Sequence, residues 1–155
     1  MTDTLKDRLR ADLTTAIKAR DELTSSTLRM ALTAVTTEEK ANKDERVLTD
    51  DEVLVVLGRE AKKRREAATA YDEAARPELA ERERAELGVL EAYLPAALGD
   101  DEVAAIIDSA VAAAAADGKT GMAAMGAVMK LVTPQVQGRA DGGAVAAAVR
   151  ARLQS

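Results

Sequence analysis

The chain is 155 residues long, with 22 basic and 27 acidic side chains, a net charge of −5, and neither cysteine nor histidine. Disulfides, thiolate metal sites and imidazole acid–base chemistry are thereby excluded, and the negative total argues against wholesale nucleic-acid binding. Hydrophobic residues make up 47%, chiefly Ala, Leu and Val, and the aromatics are Tyr71 and Tyr93 alone, a balance that favours helix and predicts an all-α fold.

The start, Met1-Thr2-Asp3-Thr4-Leu5-Lys6-Asp7-Arg8, is charged at once and has no signal-peptide core. No apolar run approaches the ~18 residues of a membrane span. The expectation is a cytoplasmic protein with no membrane partner. Leu5, Leu9, Leu13 and Ile17 recur every four residues, which predicts one stripe of an amphipathic helix of roughly 17 residues. A second helix begins between Asp21 and Ser26 and carries Leu28, Met30, Leu32 and Val35, and the polar stretch from Asn42 to Arg46 reads as a loop. Leu48-Thr49-Asp50-Asp51-Glu52-Val53 then has the pattern of a capping box, Thr49 against Glu52, closed by a Leu48–Val53 staple. That third helix runs through Leu54, Leu57 and Ala61 toward Tyr71. Pro77 suits the first turn of a fourth, with Leu79, Leu87, Leu90 and Leu94 as apolar positions.

Leu94-Pro95-Ala96-Ala97-Leu98-Gly99 breaks the pattern and marks a domain boundary. The predicted organisation is an N-terminal helical domain of about four helices over 1–95 and a small three-helix tail domain over 96–155. The tail opens on Asp100-Asp101-Glu102 and Val103, a near copy of the start of the third helix. Ile106, Ile107 and Val111 follow at helical spacing, and Gly118 is a natural stop. Two short helices close the chain, at about 122–132 and 143–153, with Pro134 and the segment 138–142 between them. From Lys119 onward there are five basic residues and one acid, Asp141, a net of +4; the remaining 17 basic and 26 acidic residues leave −9 for 1–118. The tail is basic against an acidic body.

Carboxylate clusters at Asp50-Asp51-Glu52, Asp100-Asp101-Glu102 and Glu38-Glu39 are the places where a hard cation would bind; acids in a first helical turn equally complement the helix dipole, and no metal is expected. Gly118-Lys119-Thr120 resembles the end of a phosphate-binding loop, but Ala113 stands where that loop needs glycine and no strand precedes it. Without histidine no serine or threonine has a triad partner, so no catalytic residue and no cofactor are expected. Arg59, Lys62, Lys63, Arg64 and Arg65, interrupted by Glu60 and Glu66, read as a solvated charge-laced face, with RNA-phosphate contact as the competing reading. Met122, Met125 and Met129 share one helix face and read as core. Gly126 beside them lets another helix approach, and Gly138 and Gly142 bracket a turn suited to positive φ or exposed backbone N–H groups. Lys130 and Arg139 flank this turn, either as phosphate ligands or as a solvated pair; Lys119 and Arg150 complete the candidate nucleic-acid contacts.

Four segments together resemble the GatB/YqeY family over nearly the whole chain. They are Leu28-Arg29-Met30; Arg59-Glu60-Ala61-Lys62-Lys63-Arg64; Glu91-Ala92-Tyr93-Leu94-Pro95; and Met125-Gly126-Ala127-Val128-Met129-Lys130 with Gly138-Arg139-Ala140-Asp141-Gly142. The resemblance implies a helical N-terminal domain joined to a helical tail of the kind that ends the B subunit of the glutamine-dependent amidotransferase acting on misacylated Glu-tRNA and Asp-tRNA. In that enzyme the tail helps hold tRNA, and the chemistry belongs to a larger domain for which 155 residues leave no room. It further implies Lys130 and Arg139 as RNA contacts, with Gly126, Gly138 and Gly142 architectural. The resulting expectation is a non-catalytic, tRNA- or translation-associated binding module, with tRNA or a translation-related protein as partner. The alternatives are a protein-interaction adaptor and an accessory factor of amidotransferase chemistry.

Overall fold

The computed structural model describes residues 3–41 and 43–155. Met1 and Thr2 of the charged start, and Asn42 of the expected loop, lie outside the described residues. The all-α expectation holds: among the described residues there are seven α-helices, one 3-10 turn and no strand. The helices are α1 (Leu5–Lys18), α2 (Glu22–Ala41), α3 (Asp50–Glu73), α4 (Pro77–Glu91), α5 (Asp100–Ala116), α6 (Met125–Val136) and α7 (Gly142–Gln154), with the 3-10 turn at Gly121–Ala124 before α6. They form two compact units, one ending at Leu94 and the other starting at Pro95.

In the first unit α3 packs along α4, α1 along α2, and α2 against both α3 and α4. Leu9, Leu28, Leu57 and Leu90, one from each helix, are fully buried at its centre. Each such leucine contributes about 1.5–3 kcal/mol of hydrophobic stabilisation. Both ends of the predicted capping box are made: Thr49 Oγ1 accepts from Glu52 N at 3.3 Å, and Glu52 Oε1 accepts from Thr49 N at 3.2 Å. Leu48 and Val53 are buried in the same core, as the staple requires. Thr4 and Asp7 form a second capping box on α1.

Three expectations in this unit need correction. The α1 stripe turns at its end, so that Ala16 is buried and Ile17 is 46% exposed, because a repeat of four drifts by about 40° per step around a helix of 3.6 residues per turn. On α2 the buried positions are Ser25, Thr27, Leu28, Ala31 and Val35, which leaves Met30 exposed. Arg64 is not part of a solvated face. It is buried, since it falls on the same α3 stripe as Leu57, Ala61 and Ala68.

The second unit packs α6 between α5 and α7, which also touch each other. Its core is thinner, made of Ala110, Ala114, Ala124 and a row of valines, Val128, Val132, Val136, Val145 and Val149, with Ile107 and Leu153. Pro134 was expected between helices but lies inside α6. The ring removes one helical N–H and so leaves the carbonyl of Lys130 without its intrahelical donor. Both residues are exposed, so water can serve that carbonyl and the helix continues to Val136.

Candidate nucleic-acid interface

The tail face singled out by the sequence is built on α6. Its buried positions, Ala124, Val128, Val132 and Val136, are four apart and define the inward side. Gly126, Lys130, Thr133 and Pro134 are all exposed, on the opposite side. Gly126 does not serve packing within the tail: a Cβ built there meets nothing within 4 Å. Whatever it admits must come from outside. The methionines separate. Met125 and Met129 pack partly buried against the core, whereas Met122 sits in the 3-10 turn and is 45% exposed. The expected core stripe is therefore supplied by valines, with methionine at its margin.

The turn after α6 is fixed by Gly138 and Arg139. Gly138 adopts φ +76°, the left-handed conformation that ends a helix. Gly142 does not share that conformation; it opens α7, and Asp141 caps it by accepting from Gly143 N at 3.3 Å. Arg139 N donates to Val136 O at 2.8 Å, and Arg139 O accepts from Leu98 N at 2.8 Å. Its Nε donates to Ala96 O at 3.2 Å. Arg139 thus ties the α6–α7 turn to the strand of chain that leads into α5, an architectural task that sequence spacing did not disclose. Its half-buried side chain forms no ion pair among the described residues.

Lys119, Lys130 and Arg150 are exposed and likewise unpaired among the described residues. They do not converge. Arg139 lies beside Leu98 at the start of α5, and Lys119 N bonds Ala114 O just past its end. The 17 residues of α5 set these two cations about 25 Å apart along its axis. Lys130 and Arg150 fall between, on α6 and α7, while Arg152 is occupied by Asp108 at 2.8 Å. The tail presents spaced cations, not a pocket, and spaced cations match a repeating anion better than a single one.

Two polar clusters that the sequence did not reveal lie in the first unit. Arg64 sits among Glu60, Glu86 and Met30: its Nη1 donates to Glu60 O at 3.0 Å, and its Nε stands 3.5 Å from Glu86 Oε2 without a hydrogen bond. Lys63 and Arg82 hold the outer sides of Glu60 and Glu86, at 2.9 Å and 3.7 Å. The available signal was the helical spacing of Arg64 from Leu57, Ala61 and Ala68. In the second cluster Tyr93 Oη donates to Asp12 Oδ2, and the Arg8 guanidinium lies 4.9 Å above the ring. Burial first, and the Asp12 carboxylate second, hold the Tyr93 phenol well above its ordinary value. Such a phenol is a hydrogen-bond donor and not a base at neutral pH. The 81 residues between the partners leave no local trace in sequence.

The acidic triplets do their work at helix starts. Asp50 Oδ1 accepts from Leu5 N at 3.0 Å, and Glu52 is engaged by Arg46 at 2.7 and 2.6 Å. No group of three or more acidic side chains among the described residues is disposed to hold a metal ion. Among those residues no helix is long and apolar enough to cross a membrane.

Comparison with known proteins bears on the whole of this architecture. The family model described as "Yqey-like protein" matches residues 6–153. An uncharacterized protein of Schizosaccharomyces pombe is 36% identical over 88 residues, covering 56% of this chain and 69% of that protein.

Proposed function

The chain belongs to the YqeY-like family, and we propose that it is a non-catalytic binding module whose tail contacts the phosphate backbone of tRNA or another translation-associated RNA. The observation that carries this reading is the set of exposed, unpaired cations, Lys119, Lys130 and Arg150, in a stretch from Lys119 onward that is positive within an acidic chain. With no aromatic side chain in the tail, recognition would proceed through backbone and shape, not through base stacking. Arg139 would contribute its terminal amino groups while its Nε holds the turn. On this reading a carbon–nitrogen ligase activity belongs to larger relatives that share the module.

The test is binding of labelled bulk tRNA across a salt series. Each phosphate contact that is lost lowers the slope of log K against log salt by about 0.9 on duplex and about 0.7 on single strands. Lys119→Ala/Lys130→Ala/Arg150→Ala should weaken binding at least tenfold and flatten the slope by two to three such steps. Equal affinity of this variant and the wild type would discard the reading. Arg139 is left out of the variant because its loss would also release the α6–α7 turn.

A second reading, a protein-interaction adaptor, is favoured by one specific observation. Gly126 is exposed on α6, and a Cβ there would meet nothing, so a partner helix could approach the backbone closely at that point. Gly126→Leu separates the two readings, since it blocks close helix approach and leaves the cations in place.

A further inference from the structure

A second candidate anion site lies in the first unit, away from the residues on which the tail reading rests. A broad open groove of about 720 Å³ runs where α1 ends and α2 begins, with α4 on one side. Its walls carry three guanidinium groups, Arg20, Arg29 and Arg82, with a single carboxylate, Glu22, and Ile17 and Leu23 as apolar floor. This inverts the local charge of a unit that is otherwise acidic.

The arginines of the groove are less engaged than several others of the unit. Arg10, Arg46, Arg59 and Arg84 each pair with a carboxylate, and Arg8 lies over Tyr93. Arg20 and Arg29 are exposed and form no ion pair or side-chain hydrogen bond among the described residues, although Glu22 is near. Arg82 touches Glu86 only at 3.7 Å, with its side chain 69% exposed. The groove hydroxyls are turned inward: Ser25 Oγ donates to Asp21 O at 2.7 Å and Ser26 Oγ to Leu23 O at 3.2 Å. The start of α2 is already capped, because Asp21 accepts from Thr24 N at 3.1 Å. The guanidinium groups are therefore the donors that a ligand would meet.

We propose that this groove binds a phosphodiester strand, with Arg20 and Arg29 as its principal phosphate ligands and Arg82 at the rim. Guanidinium forks fit phosphate oxygens in pairs, and their planes also stack on bases in a groove that has no aromatic side chain. The groove is open and its cations come from three separate elements, which suits a ligand that carries one negative charge per residue along its length. An enclosed small molecule would require walls on more sides. The proposal does not depend on the tail cations.

The test uses the full chain, a fluorescein-labelled twelve-nucleotide single-stranded RNA and inorganic tripolyphosphate, each titrated against wild type and Arg20→Gly/Arg29→Ala. Arg20 has φ +58°, so glycine there relaxes the backbone while removing the guanidinium. A thermal melt of the variant separates loss of binding from loss of fold. The expected result is RNA binding that falls at least tenfold in the variant, with a salt slope lower by about 1.4, two contacts at about 0.7 each. Lys119→Ala/Lys130→Ala keeps this difference whatever becomes of the tail reading. Tripolyphosphate bound as tightly as RNA and lost in the same variant would keep the phosphate chemistry and assign it to a small polyphosphate. Equal affinity of wild type and variant for both probes, or no binding of either by wild type, would overturn the proposal.

Discussion

In the first unit several cations are matched at short range: Lys6 to Glu39 at 2.6 Å, Arg46 to Glu52 at 2.6 Å, Arg59 to Glu38 at 3.1 Å, and Arg64 between Glu60 and Glu86. In the second, Arg152 meets Asp108 while Lys119, Lys130 and Arg150 meet nothing among the described residues. The cores differ in the same direction, leucine at the centre of one and alanine with valine in the other. Larger side chains and dense ion pairing serve structure. Small side chains with open cations give a scaffold whose surface charge is available. The Arg20–Arg29 groove brings open cations together on the surface of the first unit as well.

The sharpest way to break the contrast is at Arg64. Replacing it with Met leaves Glu60 and Glu86, whose side chains are only 11% and 10% exposed, without their inner cation. Removing one member of a buried charge cluster costs about 3–5 kcal/mol, and Lys63 and Arg82 place the expected loss near 3. Urea unfolding of Arg64→Met, read by helical circular dichroism, measures it. Adding Glu86→Leu should restore a good part of the loss, because an apolar replacement no longer strands a carboxylate. A single variant within 1 kcal/mol of wild type would show that the cluster is incidental.

A smaller effect separates the helix starts of the two units. Thr49 caps α3 through its side chain, whereas Gly99 at the start of α5 has none to offer. Thr49→Ala should cost about 1 kcal/mol. The same cap has a pH signature. The Arg46 guanidinium and then the Thr49 N–H hold the Glu52 carboxyl at about 2, below its ordinary 4.5. A depressed carboxyl stabilises fully above its unfolded value and ceases to do so as pH falls through its folded one. Stability should therefore decline from about pH 4.5 toward pH 2. Glu39, held down by Lys6 and the Leu48 N–H, and Asp7, held down by Thr4, decline in the same direction. Glu52→Gln should flatten part of that acid limb, and an unchanged profile would remove Glu52 from the account.

What the sequence disclosed follows the range of the interactions. The Thr49–Glu52 box, the Pro77 start of α4 and the Gly118 stop are all settled within a few residues, and the structure has them where the pattern put them. Pro134 misled because proline is disfavoured inside helices, yet here it stands two residues before the end of α6, where it removes a single intrahelical bond. Arg64 misled because five cations in seven positions look solvated, although one of them falls on the buried stripe. The bracing role of Arg139 and the Tyr93–Asp12 bond join residues 43 and 81 apart, and no local pattern encodes either. The residues of the candidate tail interface were legible as types. Their dispersal along the length of α5 was not, because it depends on how three helices pack.

The finest test of the contrast is Gly99→Ser. The sequence around Gly99 repeats the acidic first turn that follows Thr49, so α5 has the dipole complement of α3 and lacks only the side-chain acceptor. Gly99 has φ −73°, ψ 162°, which serine adopts without strain, and a Cβ there meets nothing nearer than Glu102 Oε1 at 4.0 Å. Serine should therefore accept from the Glu102 N–H and raise stability by a few tenths of a kcal/mol, the usual difference between these two residues at a cap. The gain would appear as a small upward shift in the urea midpoint with the slope unchanged. Should Gly99→Ser destabilise instead, the start of α5 does not gain from a side-chain acceptor and the parallel with the Thr49 cap of α3 fails.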